Sequence, residues 1–292
     1  MNKYAITAVN ENPDYLFFAP IWAAFWERLG YIPYVIIVNK GISKNLSNLI
    51  EKSITRIGGV VKYLDPIPGY KTSTTAQICR LYASSDNFFR DSDYLITDDV
   101  DKYVISRPWF NQQDTDKDIH IFDIDETNYT RLKIGYIGMT ASLWKKILNI
   151  PNKSLYDNVK DCLESNLGKD PNWDSSKILS QQEKEIDKGW NLDEYILTKN
   201  VFKSPLFPDK CQFITRGHNH FGLRNGRIDR AFWKQTLHMY LSTQIIDVHL
   251  HRDPYQDEMW NDTKLIMSTV FPPKEIEFYE KYKQNFVKLV EG

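Results

Sequence analysis

Tyr94-Leu95-Ile96-Thr97-Asp98-Asp99-Val100-Asp101 runs from an apolar segment straight into three carboxylates. The apolar run predicts a buried strand. Successive strand side chains alternate between faces, so Asp99 and Asp101, two apart, project from one side at its end. Two carboxylates this close repel each other unless something positive sits between them. A divalent cation carrying a phosphate answers that repulsion, because hard cations prefer oxygen ligands and complete their shell with substrate phosphates. An acidic triplet after a strand also serves as a solvated turn, since Asp is a favoured turn residue. The rest of the chain decides between the two.

Upstream of the triplet, strand and helix signals alternate. Strands are expected at Tyr4 to Val9, Tyr34 to Val38 and Val60 to Leu64, and helices at Tyr15 to Leu29, Leu46 to Ile57 and Thr75 to Phe89. With Tyr94 to Thr97 as fourth strand, this order predicts a parallel sheet covered by helices on both faces. Ligands of such sheets bind at the carboxyl ends of the strands, so the loops after Val9, Val38, Leu64 and Thr97 should line one crevice. Downstream, strands are expected at Ile119 to Ile124 and Ile134 to Ile137, and a short strand or loop at Ile245 to Leu250. Helices are expected at Thr140 to Leu148, Trp190 to Val201, Asp229 to Leu241 and Ile276 to Val290, and weakly packed helices and loops from Pro151 to Gly189. No composition shift demands a domain boundary, although the pattern changes near Trp109.

The chain has 292 residues, 42% hydrophobic and 14% aromatic, enough for a sizeable core. A formal net charge of −1 supplies no global basic field to draw it to nucleic acid. Cys79, Cys162 and Cys211 lie far apart without a CxxC pair, which suits a reducing compartment and argues against a disulfide scaffold or structural zinc. There is neither a signal-peptide pattern at the start nor an apolar run of spanning length, so the expectation is a cytoplasmic protein with no membrane segment.

Several constellations point at the same crevice. Thr7, Ala8, Val9 and Asn10 close the first strand with small and polar groups that let backbone approach a flat base or ribose. The segment lacks a GxGxxG fingerprint, and no GxxxxGK[ST] P-loop is present. Gln77 and Arg80, three apart, share a helix face, and Arg80 can pair with a phosphate or an acid of the triplet. Gly135-Tyr136 sits at a strand–helix junction with little bulk, which suits close approach to a sugar or simple packing. Trp190 offers a surface on which a sugar can stack. Asp193 and Glu194 follow at a helix start, where Asp193 is either an N-cap or a general base for an acceptor hydroxyl. His249 and His251 would face one side of a strand, and either could complete a metal shell begun by Asp99 and Asp101. Arg216, His218, His220 and Arg224 form a basic stretch, either a loop closing over a diphosphate or a solvated one.

The order of these features resembles a GT-A fold glycosyltransferase over Tyr4 to about Trp260, most like small soluble transferases of large DNA viruses and bacteria. That resemblance implies an α/β fold with a Rossmann-type, mostly parallel central sheet flanked by helices in a single domain, with a donor-binding half over 1–108 and an acceptor-binding half of the same domain over 109–292. It implies Mn²⁺ or Mg²⁺ held by Asp101, with His249 as a further ligand and Asp99 on the ribose or a metal-bound water. Thr7, Ala8, Val9, Asn10, Gln77, Arg80 and Asp98 would bind a nucleoside diphosphate sugar, and Gly135, Tyr136, Trp190 and Glu194 the sugar or the glycan acceptor. Asp193 would deprotonate the acceptor, giving inverting transfer. A sugar nucleotidyltransferase is the alternative on the same fold, and a non-catalytic carbohydrate-binding protein is the alternative from another class.

Overall fold

The structure, a computed structural model, describes residues 1–124, 132–167, 191–218, 222, 224–240 and 245–291. The first half is the predicted alternation: β1 (Lys3–Val9), α1 (Pro13–Arg28), β2 (Ile32–Val38), α2 (Lys44–Thr55), β3 (Val60–Leu64), α3 (Thr72–Tyr82) and β4 (Tyr94–Thr97). There follow β5 (Lys102–Val104), α4 (Arg107–Phe110), β6 (Ile119–Phe122), β7 (Ile137–Thr140), α5 (Ala141–Ile147), α6 (Leu155–Leu167), α7 (Leu192–Lys203) and β8 (Cys211–Ile214). The chain closes with β9 (Arg227–Asp229), α8 (Trp233–Tyr240), β10 (Asp247–His249), α9 (Asp257–Ser268) and α10 (Pro273–Glu291).

The main sheet has the order β3-β2-β1-β4-β7-β6-β8. Its first four strands are parallel, with Ile6 opposite Tyr34 on one side and Thr97 on the other. From β1 the chain steps outward to β2 and β3 and then returns to the other side of β1 as β4. Strand order therefore reverses between β1 and β4, and their carboxyl ends flank the crevice that such a reversal opens. β7 runs antiparallel to β4 and β6 antiparallel to β7, so one mixed sheet joins both halves of the chain. This is the helix-flanked α/β architecture expected from the sequence, in a single domain.

Helix α1 explains one covered face. Asn12 caps it by accepting from the Asp14 amide, and Pro13 sits in the first turn, where its missing N–H costs nothing. Leu16 to Trp26 are then all buried, and a helix apolar all round must lie inside the protein. Pro20 leaves the Leu16 carbonyl without its helical donor, and the Tyr282 hydroxyl of α10 reaches that oxygen at 3.4 Å. Helices α2 and α10 complete this layer, while α3, α5, α6 and α7 cover the opposite face.

Two departures from expectation matter for the site. The strand expected at Ile134 to Ile137 begins only at Ile137, because Tyr136 adopts a left-handed backbone with φ of 67°. Its amide is held by the Thr97 carbonyl at 2.6 Å, and the Thr97 hydroxyl donates to the Ile134 carbonyl at 2.6 Å. A second sheet, β5-β10-β9, was invisible apart from β10, since its strands have three residues each. Its register sets His249 opposite both Lys102 and Asp229.

Candidate functional site at the carboxyl end of the central strands

The acidic triplet divides its work by direction. Asp98 turns inward and is fully buried. Its Oδ2 accepts from the indole N–H groups of both Trp22 and Trp26 at 2.9 Å, and its Oδ1 accepts from the Asp99 amide at 2.8 Å. Spaced four apart on α1, the two tryptophans present their indoles on one face. Burial pushes the Asp98 carboxyl well above the usual range, against the pull of Lys102 and the indole donors. Asp98, expected among the donor-binding residues, is thus buried and clamps the end of β4 to α1.

Asp99 faces the other way, with its side chain 29% exposed. Its Oδ1 is paired with the Arg80 guanidinium, and its Oδ2 lies 2.5 Å from the Lys102 Nζ. Desolvation alone would raise this carboxyl, but Lys102 and Arg80 hold it far below its ordinary value. Arg80, in the last turn of α3, also reaches Asp193 Oδ2 through Nε at 3.2 Å and Nη2 at 2.8 Å. One buried guanidinium therefore ties α3, the end of β4 and the start of α7. Asp193 is 1% exposed, and its other oxygen accepts from the Glu194 amide at 2.9 Å. Desolvation raises Asp193, with Arg80 opposing.

Asp101 faces the small sheet. Its carbonyl accepts from the Leu250 amide at 2.9 Å, which holds the end of β10 beside it. Its Oδ2 lies 3.2 Å from Arg230 Nη1 and 3.5 Å from His249 Nε2, while His249 Nδ1 lies 3.4 Å from Asp229 Oδ2. Burial by itself would lower the His249 imidazole, but its bonds to Asp101 and Asp229 prevail and raise it. The two histidines lie apart: β10 ends at His249, and His251, past the strand, pairs with Asp262 at 3.4 Å and packs on Trp233.

At the other wall, Asn10 Nδ2 donates to the Thr72 hydroxyl at 3.2 Å, and that hydroxyl donates to Glu11 Oε1 at 2.8 Å. Thr7 Oγ1, Glu11 Oε2 and Gln77 Oε1 are buried without a hydrogen-bond partner. Ala8 is half-buried, and Val9 belongs to the core. Tyr136 is also core: it packs on Trp26 and Phe110 and donates its hydroxyl to Asp247 at 2.9 Å. Gly135 has a definite task, since a β-carbon built on it would lie 2.6 Å from the Lys102 Nζ. Glu194 Oε1 accepts from the Ile134 amide at 3.4 Å. Trp190 and His220 lie outside the described residues.

Three participants were not anticipated. Lys102 had a signal, a base directly after the acid pair; Asp229 and Arg230 had none, because only the pairing of β9 with β10 brings them here. The basic stretch takes neither of its expected roles at two positions. Arg216 and Arg224 are buried in ion pairs: Arg216 with Asp123 at 2.6 Å and Asp247 at 2.8 Å, and Arg224 with Asp123.

The donor chemistry of Asp101 and His249, a carboxylate oxygen and an imidazole nitrogen facing each other, suits Mn²⁺ or Mg²⁺ completed by phosphate oxygens. Among the described residues no three such donors converge on one point, because both Asp99 oxygens are turned onto Arg80 and Lys102. Asp101 and His249 are thus the two facing donors that could share a cation, while Asp99 is held by Arg80 and Lys102.

No family model matches the chain, and no curated protein matches it. Among solved structures it is similar to the galactosyltransferase LgtC in complex with donor and acceptor sugar analogs, with 12% identity, 94% of this chain and 99% of that chain covered, and a TM-score of 0.46. It is similar to the glycosyltransferase GlyE of Streptococcus pneumoniae TIGR4, with 13% identity, a TM-score of 0.49 and 99% of this chain covered, spanning 63% of that one. It is also similar to the bifunctional glycosyltransferase WbbM, with 13% identity, 96% of this chain and 51% of that chain covered, and a TM-score of 0.43. The likeness is one of shape; what the site does is argued from its own residues. Among the described residues no helix is long and apolar enough to cross a membrane.

Proposed function

We propose that the protein transfers a sugar from a nucleoside diphosphate sugar to a hydroxyl group of a glycan acceptor, with the donor seated in the crevice between the ends of β1 and β4. One observation carries this reading. Arg80, Asp99, Asp101, Asp193 and His249, scattered over the sequence, form two linked ion-pair groups at the carboxyl edge of the central parallel strands. Beside them are polar oxygens of Thr7, Glu11 and Gln77 that are buried with no partner. Buried polar groups are almost always satisfied, so oxygens left over in a crevice speak for a ligand that satisfies them.

Thr7, Ala8, Asn10 and Gln77 line the side suited to the base and ribose. Asp101 and His249 would hold Mn²⁺ or Mg²⁺, with Asp99 beside them. Bound there, that cation would neutralise the diphosphate as it departs. Asp229 fixes the His249 ring by pairing with Nδ1, which leaves Nε2 directed at Asp101. Arg80, locked by Asp193, fixes Asp99. In this arrangement Asp193 is a positioning residue, because both its oxygens are occupied and it can accept an acceptor's proton only by leaving Arg80. Inverting transfer with Asp193 as base predicts complete loss of turnover in Asp193→Asn. The positioning role predicts partial activity, because the amide oxygen can still accept from Arg80. The anomeric configuration of the product, read by proton NMR, assigns the stereochemistry directly.

The test is a panel of nucleotide sugars with Mn²⁺ and a set of glycan acceptors, read by thermal shift and by the phosphate species released. Transfer releases a nucleoside diphosphate. Pyrophosphate released from a parallel mixture of nucleoside triphosphate and sugar 1-phosphate would make the protein a nucleotidyltransferase, and binding without turnover in either mixture would make it a carbohydrate-binding protein.

A further inference from the structure

Repulsion between Asp99 and Asp101 is the reason to expect a metal, yet the protein already answers much of it with its own cations. Asp99 is paired with Arg80 and Lys102, and Asp101 with Arg230 and His249. These partners are not equivalent. Arg80 is anchored at both ends by Asp99 and Asp193. Lys102 is a single ammonium on a flexible stem, and its position depends on an empty volume at Gly135. The ammonium lies 2.6 Å from the point a β-carbon would take, with Asp99 Oδ2 at 3.5 Å and Asp98 Oδ1 at 3.7 Å from the same point. The Tyr136 ring lies 5.4 Å from it. Gly135 and Lys102 thus form one device: the glycine makes the room and the lysine fills it with charge.

We infer that Lys102 is a built-in counter-cation that competes with the divalent metal for Asp99, so that its ammonium keeps the metal affinity of the site low until a donor diphosphate arrives. The inference rests on the reading of Asp99, Asp101 and His249 as a metal–diphosphate site. An ammonium in contact with a carboxylate repels a second cation approaching that oxygen, and the repulsion is strong where water is scarce. A diphosphate supplies negative charge to both cations, giving the ammonium a second anion to face when it leaves Asp99. Binding of metal and donor would therefore be coupled through Lys102, each favouring the other.

The probe is Mn²⁺ alone, titrated into full-length protein and followed by loss of the free-ion electron paramagnetic resonance signal, with circular dichroism as the check of folding. Lys102→Met removes the ammonium while leaving Arg80 on Asp99, and should tighten Mn²⁺ binding about tenfold or more. Gly135→Ala keeps every charge but occupies the volume that the ammonium needs, and should shift affinity the same way by a smaller factor. It also keeps the experiment decisive if Lys102→Met fails to fold. In both variants the further gain in Mn²⁺ affinity on adding a nucleoside diphosphate should be smaller than in the wild type. Asp101→Ala is the control and should abolish saturable binding. Unchanged or weaker Mn²⁺ binding in the variants, with the Asp101→Ala loss intact, would overturn the role of Lys102 and leave the metal site standing. Absence of saturable binding in the wild type and both variants would overturn the metal site itself, and the competition with it.

Discussion

Two clusters of Asp and Arg lie on either side of Tyr136, and they do opposite things. In the first, Asp123 and Asp247 are locked by Arg216, Arg224 and Arg227, with both carboxylates and Arg216 almost wholly withdrawn from solvent. In the second, Asp99 and Asp101 are paired with Arg80, Lys102, Arg230 and His249 but remain partly open to the crevice. The first joins the end of β6 to β9 and β10, and so pins the small sheet to the large one. The second stands at the reversal of strand order, where a ligand can enter. Charge pairing alone therefore does not mark a functional site; access and the release of a partner do. A guanidinium gripped from two sides is architecture, whereas an ammonium held against one carboxylate can be moved.

The comparison breaks most visibly at Asp247. Asp247→Ala strips Arg216 and Arg227 of a buried partner, and should cost about 3–5 kcal/mol in urea unfolding, the loss typical of an orphaned buried charge. The same network should also fail in acid. Asp123 is lowered to about 2 and Asp247 further, because the surrounding arginines outweigh burial. Their stabilisation is therefore complete above the ordinary carboxylate range and is lost as pH falls through the folded values. Urea midpoints should drop between pH 4 and pH 2 in the wild type, and less steeply in Asp247→Ala. On the other side of Tyr136 the order of effects reverses. Asp101→Ala should lower nucleoside diphosphate release about a thousandfold, the several kcal/mol that a metal-held leaving group is worth, with unfolding changed far less than at Asp247. Asp229→Asn, which only loosens His249, should weaken Mn²⁺ binding roughly tenfold to a hundredfold, measured by the same resonance titration.

How much of this was legible in the sequence depends on the length of the signal. The parallel half was readable because β1, β2 and β4 are apolar runs separated by helix-length segments. The pairing of Arg80 with Asp99 was open to the sequence through the helix before β4, whereas strand alternation does not govern Asp99 and Asp101, because β4 ends at Thr97 and the acids follow it in a turn. Asp98 was misplaced because a period of two predicts faces, not depth: its partners Trp22 and Trp26 lie more than seventy positions upstream. The small sheet was hidden because strands of three residues carry no pattern, and with it went Asp229 and Arg230. Lys102 was in plain view beside the acids, but its meaning required knowing that Gly135 leaves room for it.

The most direct test of the account is an anomalous-scattering map from crystals grown with Mn²⁺ and a nucleoside diphosphate. A manganese peak is expected roughly 2 Å from Asp101 Oδ2 and His249 Nε2, with the diphosphate beside it at the ends of β1 and β4. A peak elsewhere on the protein, or a nucleotide bound away from that crevice, would contradict it.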